Sequence, residues 1–462
     1  MLFRSQPDVV FFSGDAYVDH PSFGTAMIAR VMEMAGMKVA IVPQPNWQDD
    51  LRDFKKFGKP RHFFAVTAGC MDSMVNHYTA HKRLRSDDAY SPDGQAGFRP
   101  DNATNVYCQI LKTIFPEVPV IIGGIEASQR RFTHYDYWQD KLMPSILVTS
   151  KADLLVYGMG ELVIENICKH LLNGGDFEDC KKMHQTGHLR QKQDYKKNPT
   201  DDMIHLASHQ DCLSDKKNYA SNFKQIEVES NKKTSNTLIQ SIEGFEIVVN
   251  PPYPTLTTEQ IDRYYNLPFT RLPHPKYHKR GPIPAYEMIR HSVTIHRGCF
   301  GGCSFCAISA HQGKFISSRS EESILKEVSE ITKMPDFKGY VSDLGGPSAN
   351  MYKMGGVDVD ICKKCARPSC IFPAICKNLN YNHAKTTALY KQATQIPGIK
   401  KIFVGSGIRY DMFFKENRLT PDGLEYAQNL IKNHVSGRLK VAPEHTQPHI
   451  LNLMRKPSYQ LF

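Results

Sequence analysis

Five short apolar runs in the first ~165 residues each end in glycine or a turn and lead into polar or helical sequence. They read "PDVVFFSGD", "MKVAIVPQP", "RHFFAVTAG", "VPVIIGG" and "ADLLVYGMGE". Runs so short and so apolar suit strands buried on both faces. Between the first two lies "FGTAMIARVMEMAG", whose Ala26, Ala29, Val31 and Met34 recur with helical spacing, and Gly36 is a natural stop. Repeated strand–helix units require a parallel sheet covered by helices. The expected fold over residues 1–180 is therefore α/β and Rossmann-like.

The composition changes after about Cys180. "RQKQDYKKNPTDD" and "ESNKKTSNTL" are polar and charged, and a proline-rich passage follows up to "KRGPIP". We expect residues 181–285 to be a polar insertion and a linker. A second strand–helix series starts near His291. "HSVTIH" alternates like a strand. "SRSEESILKEVSEITKM" reads as a helix capped by Ser320, with Glu321 and Glu322 at its positive end and an apolar stripe of Ile324, Val328 and Ile331. "KGYVSDLGG", "KKIFVGSGIRYD" and "GRLKVAPEH" are later strand-then-loop candidates. Parallel strands ending in polar loops predict a partial (β/α) barrel over 286–462, with its chemistry at the strands' C-terminal ends.

Twelve cysteines without a secretion signal argue for reduced thiols, and seven of them lie between Cys299 and Cys376. Cys299, Cys303 and Cys306 sit in "HRGCFGGCSFCAIS" with spacing C-x3-C-x2-C. Structural zinc usually takes four ligands in spaced pairs. Here three thiols share one tight loop with Gly298, Gly301 and Gly302, which let the backbone curl around a bulky sulfide-rich body. An iron–sulfur cube fits better than a zinc loop completed by His296 or His311. Three ligands for four irons leave one iron open, able to grip the amino and carboxylate groups of S-adenosylmethionine.

These residues resemble the signature of the radical SAM superfamily, with Phe305 before the third cysteine. "DAYVDHPSFG", "VIIGGIEASQRRFTHYDYW", "SDLGGPSANMY", "CKNLN" and "GIRYD" extend the likeness over nearly the whole chain to the YgiQ-type family of radical SAM proteins. The resemblance implies a [4Fe–4S] cluster on Cys299, Cys303 and Cys306. It implies reductive cleavage of S-adenosylmethionine to a 5′-deoxyadenosyl radical that acts on an unknown substrate. An electron donor such as a flavodoxin or ferredoxin is the implied partner. Gly345 and Gly346 match the turn that approaches the cofactor's amino group, although Pro347 stands where an acidic residue often follows. Ser406, Arg409 and Glu444 follow later strands and are candidates for ribose and carboxylate contacts. The N-terminal sheet resembles cobalamin-binding domains. The match to their D-x-H-x-x-G motif is imperfect, because Asp19 and His20 are adjacent.

A second group, "CKKCARPSCIFPAIC", holds Cys362, Cys365, Cys370 and Cys376, enough for a zinc site or another iron–sulfur cluster. Spacing does not choose between them. Lys363, Lys364, Arg367 and Lys377 offset the negative charge of either. Cys70, Cys108, Cys168, Cys180 and Cys212 are scattered and read as structural.

The formal charge of +11 is spread along the chain rather than gathered on one helix, which favours a mildly basic enzyme surface. An RNA-modifying radical SAM enzyme and a non-catalytic zinc and nucleic-acid binder are the alternatives. No stretch approaches the ~20 apolar residues of a membrane helix, and "MLFRSQPDVVFF" lacks a signal peptide's core, so a cytoplasmic protein is expected. The count of about four barrel strands before "KPSYQLF", against six usual in such barrels, predicts a core that stops short of closure.

Overall fold

The apolar runs form parallel strands in a computed structural model that describes residues 6–192 and 202–462. Residues 193–201, the heart of the first polar run, lie outside the described residues. The chain divides into two units. The first takes in residues 1–229, 235–253 and 267–287, and the second residues 230–234, 254–266 and 288–462.

The first unit is built on a nine-stranded sheet. From one edge its strands are Val39–Pro43, Val9–Ser13, Phe63–Thr67, Val120–Gly123, Leu154–Val156, Thr186–Gln191, Phe245–Val249, Thr237–Ile242 and Met203–Leu206. The first five are parallel, in chain order 2-1-3-4-5. That is the flavodoxin-type order of a doubly wound parallel sheet, and the sequence had specified no strand order. Periodicity identifies each strand and helix but not the edge on which the next strand is laid. The strand faces are dry: Val10, Phe12, Phe64, Val66, Val120 and Ile122 are all buried. The helix Gly24–Met34 ends where expected, with Gly36 at φ 104°.

The stretch 181–285 departs from the linker reading. Four of its segments extend the sheet, antiparallel at Thr186–Gln191, Phe245–Val249 and Thr237–Ile242. Met203–Leu206 then pairs parallel with Thr237–Ile242 at the far edge. The β-branched runs "TLIQSI" and "FEIVV" around the Glu243–Gly244 turn carried this signal, but the charge around them outweighed it in the sequence reading. Ile239, Ile247 and Val249 are buried, so this part of the chain contributes to the core.

The second unit repeats short parallel strands and helices. Ser292–Thr294 pairs with Asp343–Gly345, and Tyr340–Val341 with Lys401–Ile402. "GRLKVAPEH" contributes a single parallel bridge, Ile408 to Val441, rather than a strand. Helices Glu321–Ile331, Ala384–Thr394 and Pro421–Asn429 cover these strands. Ser320 caps the first by accepting from the Ser323 N–H, and Ile324, Val328 and Ile331 are fully buried. Among the described residues no helix is long and apolar enough to cross a membrane.

Candidate metal centre

The strand Ser292–Thr294 delivers the chain to His296–Arg297, which pairs antiparallel with Ser317–Ser318. The loop between these two short strands holds Cys299, Cys303 and Cys306. Its shape depends on two glycines. Gly298 has φ 88°, and a Cβ there would lie 2.3 Å from the Phe315 carbonyl oxygen. Gly302 has φ 59°, and a Cβ there would lie 2.2 Å from the Pro368 carbonyl oxygen. Only glycine meets both conditions. Gly301 differs: its missing Cβ would point at Cys299 Sγ (3.3 Å), Cys303 Sγ (3.9 Å) and Arg409 Nη1 (3.0 Å). Two thiols and a guanidinium thus face one bare stretch of backbone.

Arg409 is buried and is held by both oxygens of Asp411, at 2.9 and 2.7 Å. Its Nη1 donates to Cys303 Sγ at 3.5 Å. The Cys306 N–H donates to the Cys303 carbonyl at 3.1 Å, which fixes the third thiol's chain position. Burial pushes the Cys299 thiol up to about 11, with the Gly301 N–H and Arg409 pulling the other way. Burial also raises Cys306. Binding a metal would displace the protons of such thiols. Among the described residues no three His, Cys, Asp or Glu side chains close on a single metal ion. In an iron–sulfur cube each thiolate binds a different iron, so its ligands stand farther apart than those of one ion.

The Gly345–Gly346 turn follows the neighbouring parallel strand. A Cβ on Gly345 would fall 2.7 Å from Ser406 Oγ, and one on Gly346 would fall 2.4 Å from the His296 ring. The turn is therefore pressed between two loop ends. Asp343, just before the turn, ties one of these loops to it: it accepts from the N–H groups of Gly405 (2.8 Å) and Ser406 (3.3 Å) and from the Ser406 hydroxyl (2.5 Å). Burial raises the Asp343 carboxyl. His296 is fully buried, and desolvation lowers it to about 3, so its ring is neutral.

The remaining sequence candidates take distinct places. Ser406 is engaged by Asp343. Arg409 lies against the thiols. Glu444 pairs with Lys456 at 3.2 Å, and the Lys456 ammonium lies 5.9 Å from the centre of the Phe305 ring. Phe305 itself is exposed. Asp343, Asp411 and Lys456 were not singled out from the sequence. An aspartate two residues before the Gly-Gly turn, and another two residues after Arg409, were the available signals. The four later cysteines line a separate cavity, joined to the first loop by the Cys370 N–H donating to the Phe300 carbonyl at 3.0 Å.

In the first unit, Asp19 is bound to Arg30 and accepts from the Thr270 N–H. His20 is fully buried, with Nδ1 accepting from the Ser22 N–H at 3.0 Å and Nε2 lying 2.7 Å from Arg271 Nη2. Both ring nitrogens are engaged within the protein.

A family model described as radical SAM N-terminal matches residues 3–292. A UPF0313 protein from Porphyromonas gingivalis is 58% identical over 460 residues, covering 99% of this chain and 72% of its own. A UPF0313 protein from Bacteroides thetaiotaomicron is also 58% identical, covering 98% of this chain and 75% of its own. Among solved structures, the cobalamin-dependent S-adenosylmethionine radical enzyme OxsB, with aqua-cobalamin bound, aligns with a TM-score of 0.51 at 10% identity. That alignment covers 99% of this chain and 47% of OxsB, so the chain spans about half that protein's length. At such low identity the likeness concerns the fold alone.

Proposed function

The chain belongs to the UPF0313, or YgiQ-type, family and carries its radical SAM N-terminal domain, and from that premise we propose a radical SAM enzyme acting on an unidentified substrate. Cys299, Cys303 and Cys306 are the proposed ligands of a [4Fe–4S] cluster, and Gly345–Gly346 the proposed seat of S-adenosylmethionine. The observation that carries this reading is the Gly301 cradle: bare backbone faced by two thiols and a cation, where a side chain would intrude. The residues present fit the cluster, because a net negative iron–sulfur centre needs space, inward N–H groups and positive charge.

When bound, a reduced cluster with one open iron supplies the electron that cleaves the sulfonium cofactor. The chain's own residues prepare for this. Arg409, locked by Asp411, sets a fixed positive charge beside Cys303. Neutral His296 backs the Gly-Gly turn and excludes water behind it. Asp343 holds the loop at Gly405–Ser406 against the same turn. These strand-end loops, in a partial (β/α) barrel, carry the residues that would hold the cofactor. Cobalamin stays an open second cofactor of the first unit, and His20, whose ring nitrogens are both engaged within the protein, is not offered as its ligand.

The test is anaerobic reconstitution with iron and sulfide, followed by measurement of 5′-deoxyadenosine under a low-potential reductant. The parent chain should bind iron and sulfide and release 5′-deoxyadenosine, while Cys303→Ala should lose the 5′-deoxyadenosine and the share of iron and sulfide held by the first cysteine group. Zinc uptake without sulfide would contradict the reading.

A further inference from the structure

The sequence between Gly355 and Asn380 folds back on itself and gathers four cysteines. Gly355–Gly356 pairs antiparallel with Leu379–Asn380 and closes the segment. Gly356 is pressed against Cys362: a Cβ there would lie 2.2 Å from its sulfur. Asn378 Nδ2 donates to the same sulfur at 3.3 Å. The Cys365 N–H donates to the Cys362 carbonyl at 3.2 Å, and the Cys376 N–H to the Cys370 carbonyl at 2.7 Å. Two cysteine pairs are thereby tied within the segment. All four line one cavity of about 50 Å³, walled by apolar side chains that include Phe300, Ile316 and Leu379. About 10–15 Å³ holds one water, so the space suits a body of several atoms rather than a single ion.

An independent observation concerns charge. Lys314 also lines this cavity and is 1% exposed. Its ammonium donates to Cys365 Sγ at 3.7 Å and to the Arg367 carbonyl at 2.8 Å. Among the described residues it pairs with no carboxylate. A buried cation requires a counter-charge. Neutral thiols provide none. Four thiolates around a metal–sulfide core carry net negative charge and supply it.

We infer that Cys362, Cys365, Cys370 and Cys376 hold a second iron–sulfur cluster, with Lys314 as its buried counter-cation. The four-thiol set closes the coordination, so this cluster has no open iron and takes no S-adenosylmethionine. It is distinct from the centre on Cys299, Cys303 and Cys306, and its existence does not depend on that centre's activity.

The experiment uses the full chain, reconstituted anaerobically, with iron, zinc and acid-labile sulfide counted and the iron examined by Mössbauer spectroscopy. In the Cys299→Ala/Cys303→Ala/Cys306→Ala variant only the second group remains. It should retain iron and sulfide in about equal numbers, with a spectrum that S-adenosylmethionine leaves unchanged. The Cys362→Ala/Cys365→Ala/Cys370→Ala/Cys376→Ala variant should lose that share and keep the rest. Lys314→Met should lower the midpoint potential of the second cluster and leave that of the first in place. Retention of one zinc and no sulfide by the triple variant, or no metal at all in a folded triple variant, overturns the inference. Should the variants not fold, the unsubstituted chain decides: about six to eight irons per chain support two clusters, and about four overturn the second.

Discussion

Gly298→Ala and Gly313→Ala separate backbone strain from collision at the cysteine loop. The two glycines have nearly the same φ, 88° and 87°. Alanine at either position bears a backbone cost of about 1–3 kcal/mol, Gly313 (ψ 164°) standing in a region almost confined to glycine. At Gly313 nothing lies within 4 Å of the new methyl. At Gly298 the methyl would sit 2.3 Å from the Phe315 oxygen and 3.1 Å from its carbonyl carbon, so the two loop walls must separate. Overpacking of this kind adds about 1–3 kcal/mol. Gly298→Ala should therefore cost about 2–6 kcal/mol in all, against about 1–3 for Gly313→Ala. For a unit of this size each kcal/mol lowers Tm by about 2–4 °C, which makes the gap between the variants roughly 2–12 °C. Scanning calorimetry on both variants, under one buffer and scan rate, reads the difference, and iron retention should fall in the same order. Equal shifts for the two would refute the argument that the Phe315 carbonyl, and not φ alone, imposes glycine at 298.

Other consequences follow from particular contacts. Arg409→Met leaves Asp411 buried without its cation, which should destabilise the second unit by about 3–5 kcal/mol in denaturant titrations and reduce iron uptake. Ile247→Ala removes a fully buried side chain from the antiparallel half of the sheet and should cost the first unit about 2–5 kcal/mol; a surface linker would show almost none. His134, His188 and His383 are held neutral by burial, each lowered from 6.5 to about 4. Between those values the unfolded chain binds more protons than the folded one. Their stabilising contribution is thus complete above about pH 6.5 and is lost progressively towards pH 4. Urea midpoints measured across that window should fall on acidification, with a slope that lessens when His383→Gln is introduced.

Much of this architecture was legible in the residues. The five apolar runs became the five parallel strands because their faces are dry on both sides, and that demand is written in each run. The edge order was not legible, because nothing in Val39–Pro43 says that it lies outside Val9–Ser13. The antiparallel extension was overlooked for a different reason: its strands are short, and the polar sequence around them dominates any window average. At the site, the glycine spacing around Cys299, Cys303 and Cys306 foretold a curled backbone, and Gly301 sits against two of those sulfurs. Arg409, expected near ribose or carboxylate, lies beside Cys303, a place the sequence did not foresee. Sequence gives the residue that follows a strand but not the direction its side chain takes. Lys314 left no mark, since a lysine becomes informative only when its burial is known.

The cradle at Gly301 can be tested most directly by electron paramagnetic resonance of the anaerobically reduced chain lacking Cys362, Cys365, Cys370 and Cys376. One reduced cluster signal should appear, and adding S-adenosylmethionine should change its g-values as the open iron gains ligands. A signal that the cofactor leaves untouched, or the absence of any iron-based signal in a folded sample, would contradict the assignment of Cys299, Cys303 and Cys306.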